Sequence, residues 1–296
     1  MTARPHRDTI WVEQAELTEV REYPAGQFVH RIQAPETAAH AKAGTFIHVT
    51  CDSSLPLRRP LSIMRVDAKA GWVEYLFKTH GIGLTALAGK PVGTVLDVMG
   101  PIGKPFAPDP QRPLALLVGG GVGIPPMIYL AEALAADQST DWQPLVLMGS
   151  EIPFPLETGP SQHAVAGMPD DATLGLDLVE GWGIPTRLAS MAGIEGAHAG
   201  FVTDLATHWL RGLSDTDRNR VAMYACGPTP MLAATARVAE QFDVPCQVSL
   251  EEYMACAVGG CAGCTVRVAT PEGPAMKRVC VDGPVFDSRA VFGGAD

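Results

Sequence analysis

The sequence predicts an α/β plus β protein: an N-terminal antiparallel β-barrel, a doubly wound α/β domain and a small C-terminal cysteine module. Three observations predict it. Short apolar segments bounded by Gly, Pro or Asp run to about Pro110, strands and helices alternate from Leu114, and cysteines cluster between Cys256 and Cys280. The expected bounds are 8–110, 111–245 and 246–296.

The chain has 296 residues, enough for two domains and a small third module. At 47% hydrophobic and 18% charged it can bury a substantial core. Its 31 Gly and 25 Pro favour turns and short strands over a helix bundle. The net charge is −10, with few Lys or Arg clusters, so no basic face for nucleic acid is expected. No run approaches the ~20 apolar residues of a membrane span. Met1–Asp8 leads into no apolar signal-peptide core. The expectation is a soluble cytoplasmic protein.

In the first zone, Thr45–Cys51, Leu61–Val66, Val73–Lys78 and Val95–Val98 read as barrel strands. The second zone opens with Leu114-Ala115-Leu116-Leu117-Val118, a continuous apolar run suited to a parallel central strand. A helix from Pro125 to about Ala136, a strand at Leu145–Met148, a strand at Val221–Ala225 and a helix at Met231–Phe242 continue the alternation. Between Glu151 and Gly200 the pattern weakens in a Gly-, Pro- and Ala-rich stretch, and no elements are assigned there.

The strongest motif is Cys256-x4-Cys261-x2-Cys264, followed after 15 residues by Cys280. This is the spacing of a plant-type [2Fe–2S] site, in which a short loop wraps three thiolates and the fourth arrives from elsewhere. Ala257, Gly259, Gly260, Ala262 and Gly263 are small, so main-chain N–H groups can approach the sulfurs. Structural zinc and inert buried thiols are the alternatives, although zinc motifs more often use paired C-x2-C units. Cys51 and Cys246 read as core residues.

Gly119-Gly120-Gly121-Val122-Gly123 follows the first central strand and precedes Pro125 and Pro126. A strand, a glycine turn and a helix N-terminus can seat a pyrophosphate. Pro126 stands where the usual fingerprint has its third Gly, so a tight turn without ligand stays open. Cys226-Gly227-Pro228 ends the later strand, where Cys226 is placed to face a nicotinamide ring or simply to fill a turn. In the barrel zone, Arg59 and Ser62 of Arg59-Pro60-Leu61-Ser62 suit a pyrophosphate or flavin edge, with Gly81–Thr85 read as a loop of main-chain donors. A solvated Arg58–Arg59 pair on an edge strand is the other reading. Glu151, after the strand at Leu145–Met148, favours ribose hydroxyls over a 2′-phosphate, hence NAD over NADP.

Taken together, these zones resemble the electron-transfer subunits of class 1B, NAD+-linked dihydroorotate dehydrogenases, within the ferredoxin-reductase superfamily. The resemblance spans nearly the whole chain. It rests on Arg59–Ser62, Gly119–Gly123, Cys226–Pro228 and the four cysteines, and is close over Ser249–Cys256 and Cys280–Phe286. It implies FAD held by Arg59, Pro60, Leu61, Ser62, Leu76, Phe77, Lys78, Gly83 and Leu84. It implies NAD at Gly119, Gly120, Gly121, Gly123, Gly227 and Pro228, beside a catalytic Cys226. The cluster would be bound by Cys256, Cys261, Cys264 and Cys280. The family's Gly-Thr pair is here Gly83-Leu84, with Thr85 one place on, and the 151–200 stretch is longer than expected, an extra lid or a partner surface. The resemblance further implies an FMN-containing catalytic subunit as partner, in a heterotetramer that serves pyrimidine (UMP) biosynthesis. Electrons would pass from that FMN through the cluster and FAD to NAD+. No residue here suits deprotonation of dihydroorotate, so that step is assigned to the partner. The same chemistry with a hydrogenase- or transhydrogenase-type partner, and a zinc-stabilised nucleotide-binding module, are the rival readings.

Overall fold

The computed structural model describes residues 9–293; Met1–Asp8, on which the leader expectation rests, lies outside them, as do residues 294–296. The chain opens with β1 (Trp11–Tyr23) and β2 (Gln27–Gln33), followed by α1 (Pro35–His40) and β3 (Phe46–Val49). Next come β4 (Arg59–Asp67), β5 (Trp72–Lys78), α2 (Gly81–Ala88) and β6 (Val95–Ile102). These six strands close a barrel in the order β1-β2-β5-β4-β3-β6, every pairing antiparallel.

The first hairpin has no counterpart among the strands expected from sequence. Its exposed positions include Gln14, Glu16, Thr18 and Glu22, while Ala15 and Leu17 alone in β1 are fully buried, so the apolar half of the alternation is thin. A second correction concerns Gly81–Thr85, expected as a loop. Gly81, at φ +62°, turns the chain, and the helix formers Leu84, Ala86, Leu87 and Ala88 then carry α2, with Leu87 packed in the core.

The second half continues through β7 (Leu114–Gly120), a 3-10 turn (Gly121–Gly123), α3 (Ile124–Ala136) and β8 (Leu145–Gly149). A small hairpin of β9 (Thr158–Pro160) and β10 (Leu174–Leu176) leads to α4 (Asp177–Glu180) and β11 (Thr186–Ala189). Then follow α5 (Val202–Gly212), α6 (Asp215–Arg218), β12 (Val221–Cys226), α7 (Thr229–Gln241) and β13 (Cys246–Ser249). The final stretch holds β14 (Thr265–Thr270), β15 (Gly273–Arg278), α8 (Val279–Asp282), β16 (Val285–Asp287) and α9 (Ser288–Phe292). The main sheet runs β11-β8-β7-β12-β13-β16, parallel except for β16.

All of β7 is buried, as a central parallel strand requires. Ala115 and Leu117 face the core shared with α3 and the barrel; Leu114, Leu116 and Val118 face the core shared with α5 and α7. Helix α3 is thus the wedge between barrel and sheet, and Arg65 of β4 ties to it by donating to Glu132 at 2.5 and 3.0 Å. The 151–200 stretch, where the sequence assigns no elements, packs around a buried polar centre at the β11 edge. There the Glu180 carboxylate accepts from Ser161 Oγ, Gln162 N and Thr186. Among the described residues no helix is long and apolar enough to cross a membrane.

Candidate functional site

Arg59, Pro60, Leu61 and Ser62 form the first residues of β4. Arg59 spends Nη1 on the carbonyls of Leu57 (2.8 Å) and Arg58 (3.2 Å). Its Nε and Nη2 face Gly83, where a Cβ would sit 3.0–3.1 Å from them. The first turn of α2 has no side-chain cap, so its N–H groups stay available. A guanidinium edge over uncapped helix amides, in a space kept open by a missing Cβ, suits the pyrophosphate of FAD. Leu76 and Phe77 are buried in the barrel core, where Phe77 stacks on Phe28 at 5.6 Å, so they can meet a flavin only through their main chain. Lys78 is exposed at the strand end and Leu84 is half-buried in α2. The end of β5 lies against the Gly121–Gly123 turn, bringing barrel and sheet to one crevice.

Across that crevice, chain order reverses between the neighbouring strands β7 and β12, the position where open α/β sheets bind ligands. Gly119 and Gly120 end β7, in register with Cys226 at the end of β12. A Cβ on Gly123 would collide with the main chain of Cys226 and Gly227, and Met231 packs over both Gly120 and Gly227. Pro228 N-caps α7. The nucleotide candidates therefore pack as one contiguous cluster of two strand-to-helix turns, in which Gly121 and Pro228 are exposed and Gly119, Gly120, Gly123 and Gly227 are buried.

Cys226 itself is fully buried, and burial followed by the charge of Glu251 pushes its thiol well above the ordinary value. It presents a neutral thiol, not a thiolate. Glu251 is the residue sequence reasoning missed: its Oε1 lies 4.0 Å from Cys226 Sγ. Its side chain is exposed, and partial desolvation where it approaches Cys226 raises its carboxyl to about 7. At the β8 end, Glu151 is exposed. Arg187 on neighbouring β11 is committed elsewhere, donating to Ser161 Oγ and to the carbonyls of Thr186 and His163.

The four motif cysteines follow β13, whose Ser249 is in register with Cys226. All are free thiols. They fall into two pairs. Cys264 and Cys280 Sγ are 3.4 Å apart and buried; the Cys261 N–H donates to Cys256 Sγ at 3.4 Å. Ala257, Gly259 and Ala262 take positive φ (57°, 80° and 54°), which turns loop amides toward the sulfurs. Burial opposes ionisation of Cys256, but N–H groups of Val258, Cys261 and Gly260 bring its thiol down to about 7. Among the described residues no three His, Cys, Asp or Glu side chains gather closely enough to hold a single ion. Two thiol pairs fit two irons better than one tetrahedral zinc. Arg278 closes the loop by donating to the Gly259 carbonyl at 2.9 Å.

This module is not a free appendage. Met254, Ala257, Cys264 and Cys280 share one apolar cluster with Phe46, Met99 and Ile102 of the barrel. Gly103, at φ +93°, lets Pro284 press against the barrel end, and the Lys104 N–H donates to the Gly283 carbonyl at 2.6 Å.

Residues 251–292 match the family model for the iron-sulfur cluster binding domain of dihydroorotate dehydrogenase B. The dihydroorotate dehydrogenase B (NAD(+)) electron transfer subunit of Geobacillus sp. (strain WCH70) is 34% identical over 292 residues, 95% of this chain and 99% of that protein. The chain belongs to this family. The Bacillus caldolyticus electron transfer subunit agrees, at 35% identity over 95% of this chain and 96% of its own length. Among solved structures, an NADH-dependent reduced ferredoxin-NADP oxidoreductase shares the architecture with a TM-score of 0.73, 26% identity, 94% of this chain and 90% of that one. A ferredoxin reductase of carbazole 1,9a-dioxygenase shares the fold (TM-score 0.61, 20% identity, 80% and 67% covered). The family places both halves of the Cys226–Glu251 contact in an electron-transfer subunit, with Glu251 the first residue of the matched cluster domain.

Proposed function

We propose that this chain is the electron-transfer subunit of an NAD-linked dihydroorotate dehydrogenase in pyrimidine biosynthesis. In that role electrons taken from dihydroorotate at FMN in a separate catalytic subunit cross a [2Fe–2S] cluster and FAD to reach NAD+. The observation that carries the reading is the continuity of the three sites. Strand β13 leaves the nucleotide crevice beside Cys226 and runs within seven residues, Ser249 to Cys256, into the cluster loop, which packs against β3 and β6 of the barrel, the strand β3 being the neighbour of flavin strand β4. A one-electron relay and a two-electron flavin set side by side are what stepwise transfer needs.

In this reading Arg59 and the α2 amides hold the FAD pyrophosphate. Pro60, Leu61, Ser62, Leu76, Phe77, Lys78, Gly83 and Leu84 would complete the flavin site. Gly119–Gly123, Gly227 and Pro228 seat the dinucleotide, Glu151 takes ribose hydroxyls, and neutral Cys226 with Glu251 floors the nicotinamide position. Cys256, Cys261, Cys264 and Cys280 would hold the two irons of the cluster, which would supply one-electron transfer. The domain limits 8–110, 111–245 and 246–296 are functional units, even though β13 and β16 also complete the main sheet. The free thiols suit a reducing, cytoplasmic setting, and the partner is an FMN-containing catalytic subunit in a heterotetramer. A second reading, the same cofactors serving another redox partner, draws on the likeness to the NADH-dependent reduced ferredoxin-NADP oxidoreductase.

The test is an absorption spectrum with iron and zinc analysis of anaerobically purified protein, before and after NADH, with and without co-expressed FMN subunit. Flavin and iron-sulfur bands that bleach with NADH, plus dihydroorotate oxidation only in the presence of the FMN subunit, uphold the proposal. A colourless zinc protein refutes it. A bleaching protein that neither binds the FMN subunit nor supports dihydroorotate oxidation favours the second reading.

A further inference from the structure

One buried polar side chain has no task in the sites above. His48 lies on β3, opposite Pro60 of β4 and Met99 of β6. Its neighbours Ile47 and Val49 point into the barrel core, whereas Phe46 joins the outer cluster with Met254, Cys264 and Cys280. Alternation along the strand therefore puts His48 on the outer face, beneath the cluster module. The residue is 1% exposed, and neither Nδ1 nor Nε2 has a hydrogen-bond partner.

The main chain of two segments stands close to the ring: Arg58, directly before the flavin residues, and Met254, directly before Cys256. Burial pushes the imidazole down to about 4; the main chain of Met254, and less strongly that of Arg58, opposes this, while the charges of Arg58 and Arg59 add to it. The ring is neutral, with one N–H donor and one lone pair. A histidine that only filled space here would do so worse than Leu, because each orphaned polar atom is costly when buried.

We propose that His48 is a positioning residue of the electron path, whose buried ring N–H takes the Met254 carbonyl as partner when both cofactors are bound and so fixes the cluster loop against the flavin strand. The Met254 main chain already stands beside the ring, and Met254 shares the apolar cluster of Phe46, the residue two before His48 on the same face of β3. The proposal rests on the FAD and [2Fe–2S] assignment and adds the part that holds the two centres in register. It acts through the loop main chain and touches no iron ligand side chain.

The experiment uses the full, cofactor-loaded chain with His48→Leu, His48→Phe, His48→Asn and His48→Gln. Readouts are FAD and iron content, the electron paramagnetic resonance spectrum and midpoint potential of the reduced cluster, and stopped-flow reduction of flavin and cluster by NADH. The expected result is unchanged flavin reduction in all variants. In Leu and Phe, cluster reduction falls about tenfold, the loss of one buried hydrogen bond, with an altered resonance spectrum. At least one of Asn and Gln, which offer an amide donor at the position of Nδ1 or Nε2, returns to within about threefold of wild type. If Leu and Phe do not fold while an amide variant does, the need for a donor is likewise upheld. Wild-type transfer and spectrum in Leu or Phe overturn the proposal, as does failure of all four variants to the same degree. A wild-type protein lacking flavin or cluster sinks the functional reading itself, a separate outcome.

Discussion

Gly123→Ala isolates the contact on which the nucleotide site depends. Gly123 has φ −85° and ψ 0°, a conformation open to alanine, so backbone strain plays no part. The obstacle is steric: the new Cβ would overlap the Cys226 carbonyl and the Gly227 nitrogen, which are main chain and cannot swing away. Restoring normal carbon contacts needs a retreat of about 1 Å by the turn or by the β12 end. Overpacking of this kind costs about 1–3 kcal/mol. A displacement of about 1 Å in a reacting geometry lowers rate on the order of 100-fold. Gly121→Ala is the control. Gly121 has φ +54°, and an added methyl there would meet no atom within 4 Å, so it carries only the left-handed backbone penalty of about 1 kcal/mol. The assay is stopped-flow reduction of bound FAD by NADH, with thermal melting in parallel. The reasoning predicts a large loss in Gly123→Ala and a small one in Gly121→Ala. Equal rates in the two variants, or the reverse ranking, would refute it.

Three further outcomes follow from the geometry. Cys261→Ser should abolish the cluster yet keep FAD and the fold, since Cys261 is exposed and its loss opens no core; iron analysis and the flavin spectrum decide, and joint loss of FAD contradicts the modular reading. Glu74 is fully buried on β5 and pairs with Arg21 and Arg31, the latter at 2.7 Å, so Glu74→Gln should cost about 3 kcal/mol, read from the denaturant midpoint. Glu251 is raised from 4.5 to about 7, so the folded state holds its proton more tightly than the unfolded chain and stability falls as pH rises from about 4.5 through 7. Glu251→Gln should therefore melt higher than wild type at pH 8 and alongside it at pH 4.5, and an opposite pH trend in melting curves would remove the desolvated carboxyl from the account.

The sequence by itself determined the parts whose chemistry is local. The Cys256–Cys280 spacing, the apolar run Leu114–Val118 ending in glycines, and Arg59–Ser62 are each readable because cluster closure, parallel-strand burial and phosphate binding demand fixed residue types at short range. The barrel and the α/β sheet followed from them, although β1, with its polar exposed positions, stayed hidden together with its partner β2, and α2 stayed hidden under its glycines. Only tertiary structure decided what depends on distant segments meeting. Glu251 lies 25 positions from the thiol it faces, the 151–200 stretch folds around a buried carboxylate, and β16 returns antiparallel to finish the sheet beyond β13. His48 reads as an ordinary strand residue until the cluster module closes over it and strips its ring of water. Long-range burial sets proton affinities and unpaired donors, and no local pattern of residues encodes which segments will provide it.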